Sequence, residues 1–328
     1  MKKFLFLGLA VLYLLVPAAL KGNHYLLSLT VSALIVAGIA VAWALLGNLG
    51  GMISFGHAAF FGVGAYASAL LSMKAGWPVL LAIPAAGICA AIVALLMLPA
   101  LRLSGPYFAL AILAYAHIFR ILATEMSTLT GGSAGISSIP RLPQLSHTGQ
   151  FAERFSDLFS GLGPYFLILS MVLGFCLVYA RVRDSYYGIA LRAMHDSEEA
   201  TRVLGVNSSM LKAWMLHLSA FMTGTIGAFN AHIINFLQPD YAFSGDWSLL
   251  PIVAAIFGGY RSISGPVIGA LLIYLADQLL FKALLPSGHQ IVLGVLLAAM
   301  ILLAPDGLRP WFRRNKLTQT NGARHADT

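Results

Sequence analysis

The chain has 328 residues, 59% of them hydrophobic and 10% charged, with a mean hydropathy of +0.83, whereas a soluble domain carries about 25% charged residues. That composition excludes a soluble globule and makes lipid the solvent for much of the surface. The formal net charge of +8 lies in a few loops and the tail rather than in a groove, which argues against nucleic acid and for the loops that positive charge keeps in the cytoplasm.

A membrane helix needs about 20 mostly apolar residues. The first run, Phe4–Leu20, follows Lys2 and Lys3. It reads as a retained span, because Val16-Pro17-Ala18-Ala19 makes a poor cleavage signal; a signal-like segment over 1–24 would leave the rest of the topology unchanged. Further runs are Leu26–Leu46, Phe55–Met73, Val79–Leu101, Tyr107–Ala123, Tyr165–Ala180, Ala213–Leu237, Leu249–Phe257, Pro266–Leu285 and Ile291–Leu303. The expected fold is all-α: a polytopic membrane protein with about ten transmembrane or half-membrane helices, forming one membrane-embedded domain over 1–328. Cys89 and Cys176 fall inside apolar runs, so neither a disulfide nor a metal site is expected.

Alternation from Lys2 and Lys3 inside puts Arg102, the stretch Arg181–Lys212, Arg261 and the tail 305–328 on the same side. The loop 125–163 falls outside. Both termini are then cytoplasmic. The loops 125–163 and 181–212 are too long for connectors, and long loops in compact proteins are usually functional.

The first motif runs from Gly47 to Tyr66. Gly47, Gly50 and Gly51 break a helix, and broken backbone survives in lipid only where protein or a water-filled cavity satisfies it. Past Ser54, Gly56 and His57, the residues Ala58, Gly62 and Ala65 share a close-packing face, with Gly64 and Tyr66 beside it. Two readings stay open: helix packing alone, or a discontinuous helix beside a substrate path. The second motif echoes the first: Gly258, Gly259, then Ser262, Gly265, Pro266 and Gly269.

The third is the internal loop. Ala190, Ala193, Met194 and Ser197 can share a helix face that Ala200, Val203 and Leu204 continue, leaving Arg192, Glu198, Glu199 and Arg202 exposed. A charged helix closed by Gly205 suits docking; a helix lying on the membrane surface is the alternative.

Here the sequence resembles a known family. Ser54-Phe55-Gly56-His57-Ala58-Ala59-Phe60-Phe61-Gly62-Val63-Gly64-Ala65-Tyr66 looks like the signature of branched-chain amino-acid ABC permeases. The stretch Leu191–Lys212 is similar to that family's coupling region, Glu199-Ala200-Thr201 with Gly205 matching the loop that docks into the ATPase. Thr130-Gly131-Gly132 and Ala304-Pro305-Asp306-Gly307-Leu308 also match. Length and motif details suit the M-type subunit. Tyr260 and Arg261 depart from the small residues usual after the second Gly-Gly.

The resemblance implies a bacterial inner-membrane permease that imports branched-chain or related amino acids and is not itself an enzyme. Its implied partners are a second permease, two cytoplasmic ATP-binding-cassette ATPases, a periplasmic binding protein and membrane lipid. ATP and Mg belong to the ATPases, since this chain has no phosphate-cradling Gly-x-x-x-x-Gly-Lys-Ser/Thr loop. The chain itself needs no cofactor.

Polar groups within spans are expensive and mark functional candidates. They are His57, His117, Asn230, His232, Asp277 and Gln278, with Lys282 near enough to pair with Asp277. Alternative functions are a permease for urea, short amides or aromatic acids, a proton-coupled carrier using Asp277, His117 or Glu125, a serine hydrolase using Ser54 and His57, and a purely structural or receptor role.

Overall fold

The computed structural model describes residues 23–142, 162–284 and 288–303. Lipid offers a backbone no hydrogen bonds, so a spanning chain satisfies its own as helix. The helices, in chain order, are α1 (His24–Leu49), α2 (His57–Met73), α3 (Val79–Arg102), α4 (Pro106–Glu125), α5 (Gly163–Asp184), α6 (Tyr186–Asp196), α7 (Glu198–Val203), α8 (Ser208–Ile234), α9 (Asp246–Gly258), α10 (Gly265–Phe281) and α11 (His289–Leu303). Each apolar run expected from Leu26 onward is built around one of them. The first run, Phe4–Leu20, lies outside the described residues, as do Pro143 and the tail motif Ala304–Leu308.

Five helical stretches among the described residues are long and apolar enough to cross a membrane: α1, α3, α4, α5 and Pro239–Gly258, which ends in α9. Helix α2, α10 and Gln290–Met300 within α11 are apolar but shorter. The protein is thus a predominantly helical, multi-pass membrane protein, and among the described residues five stretches meet the spanning criterion and three apolar helices are shorter.

Helix α8, 27 residues long, is held back from that group by its polar side chains. It packs against α1, α2 and α3 at the centre. A helix ringed by other helices meets no lipid, so its Ser219, Thr223, Asn230 and His232 need partners rather than an apolar coat. Helix α1 is also interior, 89% of its apolar window being buried, against 28% for α4 on the outside.

Small residues bring these helices together. Gly64 of α2 lies on the Gly224 carbonyl of α8, and Gly227 lies on the Phe61 carbonyl. In α9 and α10, Gly258 lies on the Gly265 carbonyl and Gly269 on that of Ala254. Such contacts substitute for the hydrophobic force that lipid removes. Tyr260 does not disturb the second crossing: its ring packs edge-on against Trp43, 6.0 Å between centroids.

The two ends of the bundle differ. One gathers the α1–α2, α3–α4, α5–α8 and α9–α10 links. There Asn48 Nδ2 donates to the Tyr179 hydroxyl (2.6 Å), which donates to Tyr260 O (3.4 Å). The other end is closed by strands β1 (Ile136–Ser137) and β2 (Phe236–Leu237), paired antiparallel with Ile136 opposite Leu237. Thr130 turns the chain into β1, its hydroxyl donating to Ala123 O (2.6 Å) and accepting from Gly132 N (3.3 Å).

Candidate functional site

Between α1 and α2 the chain leaves helical form and re-enters the bundle extended. Helix α1 ends in a π turn, Leu45–Leu49, a form found often at functional sites. Gly51 then takes φ +64°, which an L side chain adopts only at a cost. Buried broken backbone must find partners, and here it does. Met52 N donates to Leu46 O (3.4 Å), and Trp43 Nε1 donates to Ser54 O (2.9 Å). Gly56 N donates to Ser54 Oγ (3.3 Å). Helix α2 has no side-chain cap of its own; Ser248 of α9 supplies one, its hydroxyl accepting from Ala58 N (3.0 Å).

His57 stands fully buried at the head of α2. Ser219 Oγ donates to Ala42 O (3.0 Å). Its single proton is thereby used, so it accepts from His57 Nε2 (3.0 Å), and this fixes the imidazole tautomer. The imidazole therefore joins α2 to α8 and α1. Ser54 Oγ accepts from backbone instead, so the nucleophile–base bond of a serine hydrolase is not formed by this pair.

The remaining motif glycines face close neighbours. Gly50 meets Met52 and Met215, Gly56 meets Ile112, and Gly62 meets the Phe243 ring. Tyr66 stacks on that ring at 6.0 Å, and Ala65 is buried beside them.

The stretch 181–212 forms a two-helix lobe. The single continued stripe expected from the sequence is interrupted at Ser197, whose extended φ of −156° starts a new helix and whose Oγ accepts from Ala200 N (3.3 Å). A serine at that place competes with helix continuation. In α6, Ala190 and Met194 are buried; Arg192 and Ala193 are exposed. In α7, Thr201 takes the buried position. Glu199, Ala200 and Arg202 are exposed, and Val203 and Leu204 just beyond are 88% and 81% exposed. Gly205 closes α7 at φ +84°, its N–H donating to Arg202 O (2.9 Å) while Val206 N reaches Thr201 O (3.3 Å), the turn glycine serves best.

Glu198 pins the lobe to α8. Its carboxylate accepts from Lys212 Nζ (2.7 Å) and Arg202 Nη2 (2.9 Å), and Lys212 beside it holds its pKa below the usual range. Arg202 Nε also donates to Ser208 Oγ (3.0 Å). The lobe touches the interior break: a Cβ on Gly51 would stand 2.7 Å from the His195 ring. A cavity of about 820 Å³ lies between Gly50–Ile53, the α3–α4 link and Met194–Glu198.

The second motif repeats one device. Gly265 N donates to Ser262 Oγ (3.0 Å), and the same hydroxyl donates to Gly259 O (3.0 Å). Gly259 takes φ +89°. Pro266 sits at the start of α10, where its missing N–H costs nothing.

The intramembrane polar candidates separate. His232 Nδ1 donates to Pro140 O (2.7 Å), leaving Nε2 to accept from Ser68 Oγ (2.8 Å); it fastens the 125–142 loop to α8 and α2. Asn230, on another face of α8, accepts from Tyr241 (3.0 Å) and lines a cavity shared with Asp277, Gln278 and Lys282. His117 is exposed on α4. Among the described residues, no group of three or more His, Cys, Asp or Glu is placed to hold a metal.

Trp43, Ser219 and Ser248 do much of the site's satisfying and were not among the sequence candidates. For Ser219 the available signal was a lone serine inside an apolar run, since a hydroxyl in a span needs a partner; Trp43 and Ser248, the latter just outside the run Leu249–Phe257, had no such signal.

The sequence profile described as "Branched-chain amino acid transport system / permease component" matches residues 25–304. The chain is 30% identical over 292 residues to the high-affinity branched-chain amino acid transport system permease protein LivM of Escherichia coli K12, covering 84% of this chain and 68% of that one. To the LivM protein of Salmonella typhimurium it is 29% identical, covering 81% and 65%. To the LivH permease of Escherichia coli K12 it is 25% identical, covering 82% and 89%. No solved structure matches the chain. The chain belongs to the family of branched-chain amino acid transport permease components.

Proposed function

We propose that this chain is a membrane-spanning subunit of an ATP-binding-cassette importer for branched-chain or related amino acids, in a bacterial inner membrane with both termini cytoplasmic. The relatives' names support the substrate class. Arg102, Arg181, Arg183, Arg192, Arg202, Lys212 and Arg261 belong to the lobe end, which supports a cytoplasmic lobe. A second permease of the LivH kind, two ATPases that use ATP and Mg, and a periplasmic binding protein complete the assembly. Family membership does not favour the proton-coupled alternative.

One observation carries the reading. The lobe is tied to α8 through Glu198 yet leaves Val203 and Leu204 almost wholly exposed. Two adjacent exposed aliphatic residues on a capped, charged helix suit a protein partner. ATPase closure then pushes the lobe. The lobe bears on Gly51, and the interior break passes the displacement to α2. A loaded binding protein docks at the opposite end, near Thr130–Ile136.

The test replaces Val203 and Leu204 with aspartate, at side chains that pack on nothing in the bundle. Insertion is kept. Co-purification of the ATPases is lost, and ATP-dependent uptake falls by about tenfold or more. Glu199→Lys and Gly205→Pro have the same effect. Wild-type uptake in all three overturns the assignment.

A further inference from the structure

Between α1, α8, α9, α10 and α11 lies a cavity of about 320 Å³ that neither the lobe nor the interior break uses. Much of its wall is apolar, with Val36, Leu250 and Val253 among its aliphatic members. Its polar lining includes Ser32, Ser244, Asp246 and Gln278, and two of its polar side chains are buried. Asn230 is 4% exposed and held by Tyr241. Asp277, also deep at 3% exposed, begins a π turn, Asp277–Phe281. Lys282 Nζ stands 3.8 Å from Asp277 Oδ2. That is beyond hydrogen-bond length, while Glu198–Lys212 and Arg120–Asp240 close to 2.7 Å.

A carboxylate and an ammonium set side by side, slightly apart, beside an aliphatic wall form the complement of one kind of ligand. A zwitterionic α-amino acid carries an ammonium for Asp277 and the Asn230 carbonyl oxygen, and a carboxylate for Lys282. The ligand's two charges then alternate in sign with Asp277 and Lys282, while Asp246, the other carboxylate on the lining, is exposed and accepts from Gln290 Nε2 (3.0 Å). Ionisable groups at membrane depth are retained for such use, and π turns are frequent where ligands bind.

We propose that this cavity is an amino-acid subsite within the permease itself: Asp277 and Asn230 take the ammonium, Lys282 takes the carboxylate, and Val36, Leu250 and Val253 take an aliphatic side chain. The inference rests on the amino-acid import reading and extends it to named residues of this chain.

Ser32, on the cavity wall, reports on occupancy. It is changed to cysteine in a chain whose Cys89 and Cys176 are serine, and the assembled importer in proteoliposomes is treated with a small thiol reagent. Leucine slows labelling by about tenfold; 4-methylpentanoate and 3-methylbutylamine, each lacking one charge, do not. Asp277→Asn and Lys282→Gln abolish the protection. Lys282, its side chain 40% exposed, keeps the test readable where Asp277→Asn fails to assemble. Leucine uptake without protection overturns the subsite and leaves the import reading standing. Protection that survives both substitutions, or that the amine alone supplies, also overturns it. Absence of binding-protein-dependent leucine uptake in the unsubstituted assembly overturns the import reading and the subsite with it.

Discussion

The interior break and the lobe lie in contact at the same end of the molecule and are built on opposite terms. The break, Gly47–His57, turns polar groups inward and meets several of them with partners from the bundle: Trp43 on Ser54 O, Ser54 on Gly56 N and Ser219 on His57, with Ser248 on Ala58 N just beyond. The lobe, Tyr186–Gly205, does the reverse. It exposes Tyr186, Val203 and Leu204 at 78%, 88% and 81%, while Ala190, Leu191 and Met194 of α6 pack into the bundle and Glu198 ties α7 to α8. A region that satisfies itself internally serves the fold. A region that leaves apolar side chains in water serves something that arrives later. Substitutions in the break should therefore cost stability first, and substitutions in the lobe should cost transport with little loss of stability.

The largest effect belongs to the helix crossing that supports the break. Gly64→Val places a branched side chain where the Gly224 carbonyl now lies. Backbone cannot yield as a flexible side chain does, so α2 and α8 must part, at a cost of about 3 kcal/mol or more. Fluorescence-detected size exclusion should show loss of the monodisperse protein. Gly294→Val, where a Cβ meets nothing within 4 Å, should leave it intact. An intact Gly64→Val protein would remove the close crossing from the account.

Ser248→Ala comes next. It leaves the Ala58 N–H buried without its 3.0 Å partner, a loss of about 1–3 kcal/mol. Ser262→Ala, which takes the hydroxyl from Gly265 N in the second glycine motif, should cost less. Ser262 is 9% exposed against 2% for Ser248, so water reaches its former partners more readily. Thermal midpoints of the two variants decide whether burial sets the cost of losing a hydroxyl that accepts from a backbone N–H.

Much of this was legible in the sequence, and the rest for definite reasons was not. The helices followed from apolar runs because lipid permits little else. The glycines at 50, 51, 258 and 259 declared breaks. Hydropathy marks both α1 and α4 as spans, and only packing makes one interior. Nor could hydropathy reveal α8 as the central helix, since polar residues lower its score for the same reason that they can be there. The stripe across Ser197 was misread because helical periodicity ran on through a residue whose hydroxyl caps a new helix. Asn230 and Asp277, 47 positions apart, meet only through the tertiary fold.

The junction of the two regions should show both behaviours. Gly51→Ala forces an L side chain to φ +64°, at about 1–2 kcal/mol, and drives its Cβ toward His195, whose half-exposed ring can move aside. The stability loss is then modest, below that of Gly64→Val. Uptake should fall further than stability predicts, because the substitution displaces the lobe from the break. Uptake and thermal midpoint measured on the same preparation separate the two. A variant that loses both in proportion would make the contact structural only.

The smallest expected stability effect is Glu198→Gln. Lys212 and Arg202 hold the Glu198 carboxyl below its ordinary pKa, so the folded state favours the charged form. The contribution is complete above the unfolded value of about 4.3 and is lost as the pH falls through the lower folded value. The Glu198 side chain is 34% exposed and that of Arg202 60%, so solvent screens the pair and the loss at neutral pH stays below about 1 kcal/mol. The midpoint gap between wild type and Glu198→Gln should be present at about pH 7 and narrow as the pH falls below the unfolded value of about 4.3. A gap as large as that of Ser248→Ala would mean that the lobe is core rather than appendage. A gap that ignores pH would mean that shape, and not charge, attaches it. A small, acid-sensitive gap together with a large loss of uptake is the signature of an element fixed just firmly enough to transmit a push.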